Sequence, residues 1–323
     1  MPVELRARNS SFYDFKLKTM CIALWALDHP DYALETPTDE LCILSGRDVV
    51  AGGTWIGINR SGNVAVLTNI REDHKHFQLS RGELASSFLL NNSTTVEEYV
   101  GALTAKSPQY AGFNLLLLSP SSASKNEALK LDVALVTNHG GGGHLSHRQL
   151  TQHEHVCGGL SNAVDGSDNW PKVADGTHIL RDLISTDFSA MSHAEQDASL
   201  VNHLLRTLSE EHVDPIHARE DLRKTIRVPP LYVRSVPTLL GSTAQAKPIE
   251  AATQLNLWYA TRLTTIILIR RDGEVLFLER DIYKLPASGE NHVPPVNMSN
   301  DQTWIEGDNA SDHDRAFRFR IQS

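Results

Sequence analysis

Two β-prone runs separated by a tight Gly/Asn turn constrain this chain more than any other feature. Thr54-Trp55-Ile56-Gly57-Ile58 is followed by Asn59-Arg60-Ser61-Gly62-Asn63, and Val64-Ala65-Val66-Leu67-Thr68 returns. That pattern predicts a β-hairpin. Gly57 inside a strand marks a place where another backbone or a ligand passes close. Asn69 ends the returning strand, where a side chain can face a pocket instead of a core. Ser80-Arg81-Gly82-Glu83 then predicts a capping-box start to a helix reaching Leu90.

The remaining elements follow by the same logic. Cys21–Ala26 is an apolar run of strand length, and Tyr32-Ala33-Leu34 begins another strand that Glu35-Thr36-Pro37 interrupts. Cys42 to Ser45 leads into the hairpin. Thr95–Thr104 reads as a helix, and Asn114–Ser119 with Asp132–Thr137 as paired strands. Gly140–Gly143 is a turn and not a phosphate-binding loop, since no Gly-Lys-Ser/Thr follows. Pro171 opens a helix towards Ile184, and Ser192 caps a longer one to about Glu211. Val213–Pro248 reads as a long loop. Thr264–Ile269 and Val275–Glu279 form a second hairpin around Asp272-Gly273, and the tail from Pro286 to Asp314 is loop-like. Ala316–Ile321 alternates apolar and basic residues as a last, half-buried strand does. Strands, then helices, then strands predict an α+β protein of stacked sheets with helices outside.

Composition excludes several functions. With 323 residues, a net charge of −9 and no basic stripe, the chain lacks the electrostatic footprint of a nucleic-acid binder. No apolar run approaches the roughly 20 residues that span a bilayer. Three cysteines, Cys21, Cys42 and Cys157, are too few for a disulfide framework and favour a reducing compartment. Residues 1–19 lack the apolar centre of a signal peptide and read as a disordered extension before one domain over 20–323. These features make a soluble, cytoplasmic protein the expectation, with Golgi association or a mitochondrial location as alternatives.

From Met20 to Ser323 the chain resembles the NRDE family, also called the transport-and-Golgi-organisation family. The residues that carry the likeness are Met20-Cys21, Gly53-Thr54-Trp55, Leu67-Thr68-Asn69, Arg81-Gly82-Glu83-Leu84 and Gly112-Phe113-Asn114-Leu115. Leu160-Ser161-Asn162, Trp170-Pro171-Lys172 and Thr261-Arg262-Leu263-Thr264-Thr265 continue it. The resemblance implies a four-layer αββα sandwich like that of the N-terminal-nucleophile hydrolases. It also implies a role in Golgi organisation and protein secretion through secretory-pathway partners, with haem or another small molecule as ligand in trafficking. The alternative it implies is a cysteine amidohydrolase acting on C–N amide bonds.

In that alternative Cys21 is the nucleophile, Asn69 and Asn162 donate to the oxyanion, and Arg262 orients or charge-stabilises the site. An α-amine, with a pKa of about 8, suits the base, yet Cys21 is joined to Met20 here. A free amine there requires a start at Met20 or removal of the leader. The family's Asn-Arg-Asp-Glu is also absent, since Leu34 is followed by Glu35-Thr36-Pro37-Thr38-Asp39-Glu40. A segment of family pattern, and with it a central strand, is therefore expected to be missing between Leu34 and Leu44. His139, His144, His147, His153, His155 and Cys157 crowd one window, and such ligands suit zinc or haem iron. Their spacing fits no standard finger, so no metal is assigned.

Overall fold

The structure is a computed structural model that describes residues 21–27, 43–48, 52–72, 76–91, 94–106, 109–121, 129–167, 170–188, 190–211, 214–218, 220–234, 256–284, 293–298, 303–305 and 313–322. The expected extension, the strand at Tyr32 and the junction between Leu34 and Leu44 lie almost wholly outside them.

In chain order, β1 (Ala23–Trp25), β2 (Ile43–Ser45), β3 (Ile56–Asn59) and β4 (Val64–Asn69) precede helices α1 (Gly82–Leu90) and α2 (Val96–Lys106). Next come β5 (Phe113–Pro120), β6 (Leu131–Thr137), β7 (Ser146–Arg148), the short α3 (Gln152–Val156) and β8 (Gly158–Leu160). Helices α4 (Pro171–Ile184) and α5 (His193–Leu208) follow, then β9 (Leu231–Arg234), β10 (Asn256–Tyr259), β11 (Leu263–Ile269) and β12 (Glu274–Asp281). Strands β13 (Tyr283–Lys284), β14 (Val296–Asn297) and β15 (Asp314–Arg320) complete the series. Every pairing among these strands is antiparallel. The protein is thus a mixed helix-and-sheet fold built on antiparallel sheets.

The first hairpin forms in the register that its turn dictates, Ile56 opposite Val66 and Ile58 opposite Val64. It sits in a six-stranded sheet of order β2-β3-β4-β5-β6-β7. The run Leu115-Leu116-Leu117-Leu118 shows why this sheet is covered on both faces. Leu115 and Leu117 join Ala65, Leu67 and the α1 and α2 residues Phe88, Leu89 and Val100. Leu116 and Leu118 point the other way, to Ile58, Leu135, Val275 and Phe277. A strand apolar on both faces is stable only between two layers, and each such leucine contributes roughly 1.5–3 kcal/mol on burial.

The second hairpin, with Ile266 opposite Leu278, is extended by β15 into a three-stranded sheet. Val275 and Phe277 face the six-stranded sheet, whereas Leu276 and Leu278 pack on Val201 and Leu205 of α5. The Ser192 cap forms, with its hydroxyl and Glu195 closing a capping box, and Pro171 opens α4.

Two local expectations are corrected. The helix after Ser80 begins one residue later than a Ser cap requires: Arg81 takes the cap position, in a helical conformation, with no side-chain capping bond. The cause is Gly53, whose added Cβ would lie 2.3 Å from the Gly82 carbonyl carbon. The two backbones touch, and the Gly82 carbonyl accepts from the Thr54 N–H at 3.1 Å. The predicted loop at Val213–Pro248 contains a 3₁₀ turn at Asp221–Arg223 and strand β9, which pairs with β10. As for Gly57, a Cβ there would meet Ser45 and Leu44 of β2 and Leu89 of α1 within 3 Å. The close neighbours are protein.

Candidate functional site

Three of the four residues singled out in the sequence meet where β1, the end of β4 and the loop after β8 converge. Ala23 pairs with Leu160, so the chain just before β1 runs beside Ser161 and Asn162. The Ser161 hydroxyl donates to the Cys21 carbonyl at 2.5 Å. The Cys21 N–H donates to Asn162 Oδ1 at 2.9 Å, and Asn162 Nδ2 donates to the Asn69 carbonyl at 2.7 Å. The Arg71 N–H in turn donates to the Asn162 carbonyl at 2.7 Å. Asn162 is only 2% exposed and holds three chain segments with one side chain and one carbonyl. Asn114 Nδ2 donates to the Ala163 carbonyl at 2.8 Å, which ties the same loop to β5.

Small residues let α4 close on this junction. A Cβ at Gly158 would sit 2.5 Å from the Trp25 ring, and one at Gly159 would sit within about 3 Å of Leu24, Val173 and Thr177. Gly176 likewise faces Leu24. The first turns of α4 therefore lie against β1, and Lys172 is enclosed in that packing.

The Cys21 thiol is enclosed, although the residue as a whole is half-buried. Burial pushes its pKa up; the charges of Lys172 and Arg81, the Asn69 backbone N–H and the Asn162 side chain pull it back. Lys172 is 1% exposed, and burial pushes its pKa down to about 8 while the neighbouring Cys21 opposes that shift. Its place in the first turn of α4, at the positive end of the helix dipole, works in the same direction as burial. The Lys172 ammonium lies over the Trp170 ring at 5.4 Å from the centroid, and Arg223 lies over the same ring at 5.5 Å. Arg81 donates to the Gly112 carbonyl at 2.9 Å and feels Glu72, whose carboxylate accepts from the Gly112 and Gly141 N–H groups.

Asn69 behaves differently from the expectation that its side chain is the donor. Its backbone N–H faces the sulfur, while its Oδ1 is buried and accepts no hydrogen bond. A buried amide oxygen without a partner is costly and suits a ligand N–H. Arg262 is exposed, just before β11; its carbonyl accepts from the Ile282 N–H and its charge acts on Glu279. The cations acting on Cys21 are instead Lys172 and Arg81.

Both lie inside motifs quoted from the sequence, where they read as helix openings. One periodic signal pointed to Lys172. Lys172, Gly176, Leu180 and Leu183 are the buried residues of α4 and form one stripe, so the lysine occupies an apolar position.

The histidine-rich window does not assemble. His139 Nε2 bonds the Ser146 hydroxyl at 2.6 Å, His153 Nε2 meets Arg181 at 3.1 Å, and the Cys157 thiol donates to the Thr177 carbonyl. Among the described residues no three His, Cys, Asp or Glu side chains are grouped to hold a metal ion. No helix among the described residues is long and apolar enough to cross a membrane.

The chemistry this arrangement permits is nucleophilic: a sulfur with two nearby N–H donors, a buried amine and an open amide acceptor. Comparison with known proteins places the chain among relatives. The family model described as Transport and Golgi organisation 2 matches residues 20–284. The mouse Transport and Golgi organization 2 homolog is 29% identical over 245 residues, 74% of this chain and 77% of the relative. The human Transport and Golgi organization protein 2 homolog is 30% identical over the same shares, and the bovine one 29%. The chain belongs to the Transport and Golgi organisation 2 family.

Proposed function

We propose that the Cys21 site performs thiol-dependent acyl transfer, cleaving the C–N bond of an amide in the manner of the N-terminal-nucleophile hydrolases. The observation that carries this reading is the meeting at Cys21 of Asn162 and the Asn69 N–H, beside the unpartnered Asn69 Oδ1, with the charge of Lys172 acting on the thiol. As Cys21 Sγ bonds to the carbonyl carbon, the N–H groups stabilise the oxyanion and Asn69 Oδ1 accepts the N–H of the scissile amide; collapse breaks the C–N bond, and the amine leaves carrying the thiol proton. Water then hydrolyses the thioester. A four-layer αββα arrangement is part of the proposal. It is supported by α1 and α2 on one sheet, the packing of the two sheets through Leu116 and Phe277, and α5 beyond.

The test is hydrolysis of a panel of N-acyl amines. Turnover must vanish in Cys21→Ala and survive in Cys157→Ala, whose thiol lies under α4. Equal turnover in Cys21→Ala and wild type would sink the proposal.

A second reading has its own support in the names of the mouse, human and bovine relatives: action in transport and Golgi organisation. Depleting the protein and following Golgi morphology and secreted cargo tests it. Rescue of both by wild type and by Cys21→Ala alike would separate that role from the acyl-transfer site.

A further inference from the structure

Across β4, β5 and β6 the face turned to the second sheet runs in lateral rows. Val64, Leu118 and Val133 make one row, and Val66, Leu116 and Leu135 make the next, all apolar. The third row, at the end of β4 where the Cys21 site lies, is Thr68, Asn114 and Thr137. It is polar, although these residues are only 1%, 0% and 3% exposed. Asparagine is disfavoured within a strand, and a buried amide is costly unless its hydrogen bonds are made. Asn114 makes them. Its Oδ1 accepts from the Thr137 hydroxyl at 3.0 Å, and its Nδ2 donates to Thr68 Oγ1 at 3.4 Å and to the Ala163 carbonyl at 2.8 Å. The first two bonds stay within the sheet. The third leaves it for the loop after β8.

That loop carries Asn162. The Asn162 carbonyl accepts from the Arg71 N–H at 2.7 Å, and the next carbonyl, that of Ala163, accepts from Asn114. Two successive peptide planes are thereby fixed behind Asn162, while in front of it the Ser161 hydroxyl holds the Cys21 carbonyl. The Asn162 amide must meet the Cys21 N–H at 2.9 Å and the Asn69 carbonyl at 2.7 Å together, which leaves little room for drift of the backbone beneath it. Displacements of about 1 Å in such a site cost roughly 100-fold in rate.

We infer that Asn114 is a positioning residue of the Cys21 site. It holds the Ala163 carbonyl from the floor of the six-stranded sheet and acts through Asn162, without touching the substrate. The inference rests on the acyl-transfer reading above and deepens it.

A double-mutant cycle on the full chain tests it, pairing Asn114→Leu with Asn162→Ala. Two quantities are read: kcat and KM for the N-acyl amines, and hydrogen exchange of the Cys21 N–H followed by NMR. In the wild-type background Asn114→Leu lowers kcat by about 10-fold, the factor that one neutral hydrogen bond carries, with KM little changed. It speeds exchange of the Cys21 N–H by a similar factor. In the Asn162→Ala background the same substitution causes no further loss of either kind, because the amide it positions is gone. Equal factors in both backgrounds overturn the inference, since Asn114 then stabilises the core independently of Asn162.

Should Asn114→Leu lack a cooperative melt, Thr137→Val takes its place in the cycle. It keeps the side-chain shape and removes the hydroxyl that orients the Asn114 amide, and equal factors in both backgrounds again overturn the inference. The two proposals fail separately. Turnover at Cys21 that Asn114→Leu leaves at the wild-type rate rejects the positioning role and keeps the acyl transfer. Coupled exchange of the Cys21 N–H, with no amide turnover by wild type, rejects acyl transfer and keeps the hold of Asn114 on Asn162.

Discussion

Lys172→Met isolates the energetic cost of burying an ammonium under α4. Folded Lys172 has a pKa of about 8 against an ordinary 10.5 in the unfolded chain. Each unit is worth about 1.4 kcal/mol, so below pH 8 the buried charge weakens the fold by about 3 kcal/mol. Between pH 8 and 10.5 the unfolded chain binds more protons than the folded one, so stability from this group rises with pH. By pH 9.5 about 1.5 kcal/mol of the cost remains. Methionine removes the charge and keeps much of the length. It forfeits about 1 kcal/mol of cation–π attraction to Trp170 and up to about 1 kcal/mol in repacking. Lys172→Met is therefore expected to be more stable than wild type by about 1–2 kcal/mol at pH 7, with the advantage gone at pH 9.5. Urea unfolding of both proteins at the two pH values measures it. Groups that titrate alike in both proteins cancel in the difference. A stability difference that does not change between pH 7 and 9.5 refutes the assignment of a depressed lysine.

The other expectations concern separate parts of the fold. Asn162→Ala leaves the Cys21 N–H and the Asn69 carbonyl unpaired, and urea unfolding should show a loss of about 1–3 kcal/mol along with about a 100-fold fall in amide turnover. Gly53→Ala forces a methyl into the Gly82 backbone and should cost at least about 1–3 kcal/mol, read as a lower urea midpoint. Arg148 bonds both Glu154 and Asp165, which holds the Glu154 pKa down to about 2. Glu154→Gln should therefore lower stability at neutral pH by about 1 kcal/mol, discounted because the pair is partly exposed. That penalty fades as pH falls from 4.5 towards 2, where wild-type Glu154 itself becomes protonated.

Much of the scaffold was legible because its signals are local. The turn residues Asn59–Asn63 and Asp272-Gly273 set both hairpins, and the apolar runs Asn114–Ser119 and Asp132–Thr137 read as the paired strands that β5 and β6 form. The Ser80 cap failed because a long-range contact, Gly53 on Gly82, decides how α1 begins. Cys21, Asn69 and Asn162 were reached through resemblance, not periodicity, since nothing in their spacing brings residues so far apart together. Lys172 was quoted in the sequence only as part of Trp170-Pro171-Lys172, beside the proline that opens α4. Only the seating of α4 on β1 through Gly159 and Gly176 encloses it. Arg262 too was reached through resemblance, yet the cations whose charge acts on the thiol are Lys172 and Arg81.

The central claim is that Cys21 is an acyl acceptor, and trapping the acyl-enzyme tests it most directly. Folded full-length protein is incubated with an activated acyl donor at pH 8, quenched in acid, and digested for peptide mass spectrometry. The account predicts one acyl group on Cys21, absent from Cys157, lost in Cys21→Ala and released by hydroxylamine as a thioester is. Acylation of surface lysines alone, with Cys21 unmodified in protein that remains folded, would contradict it.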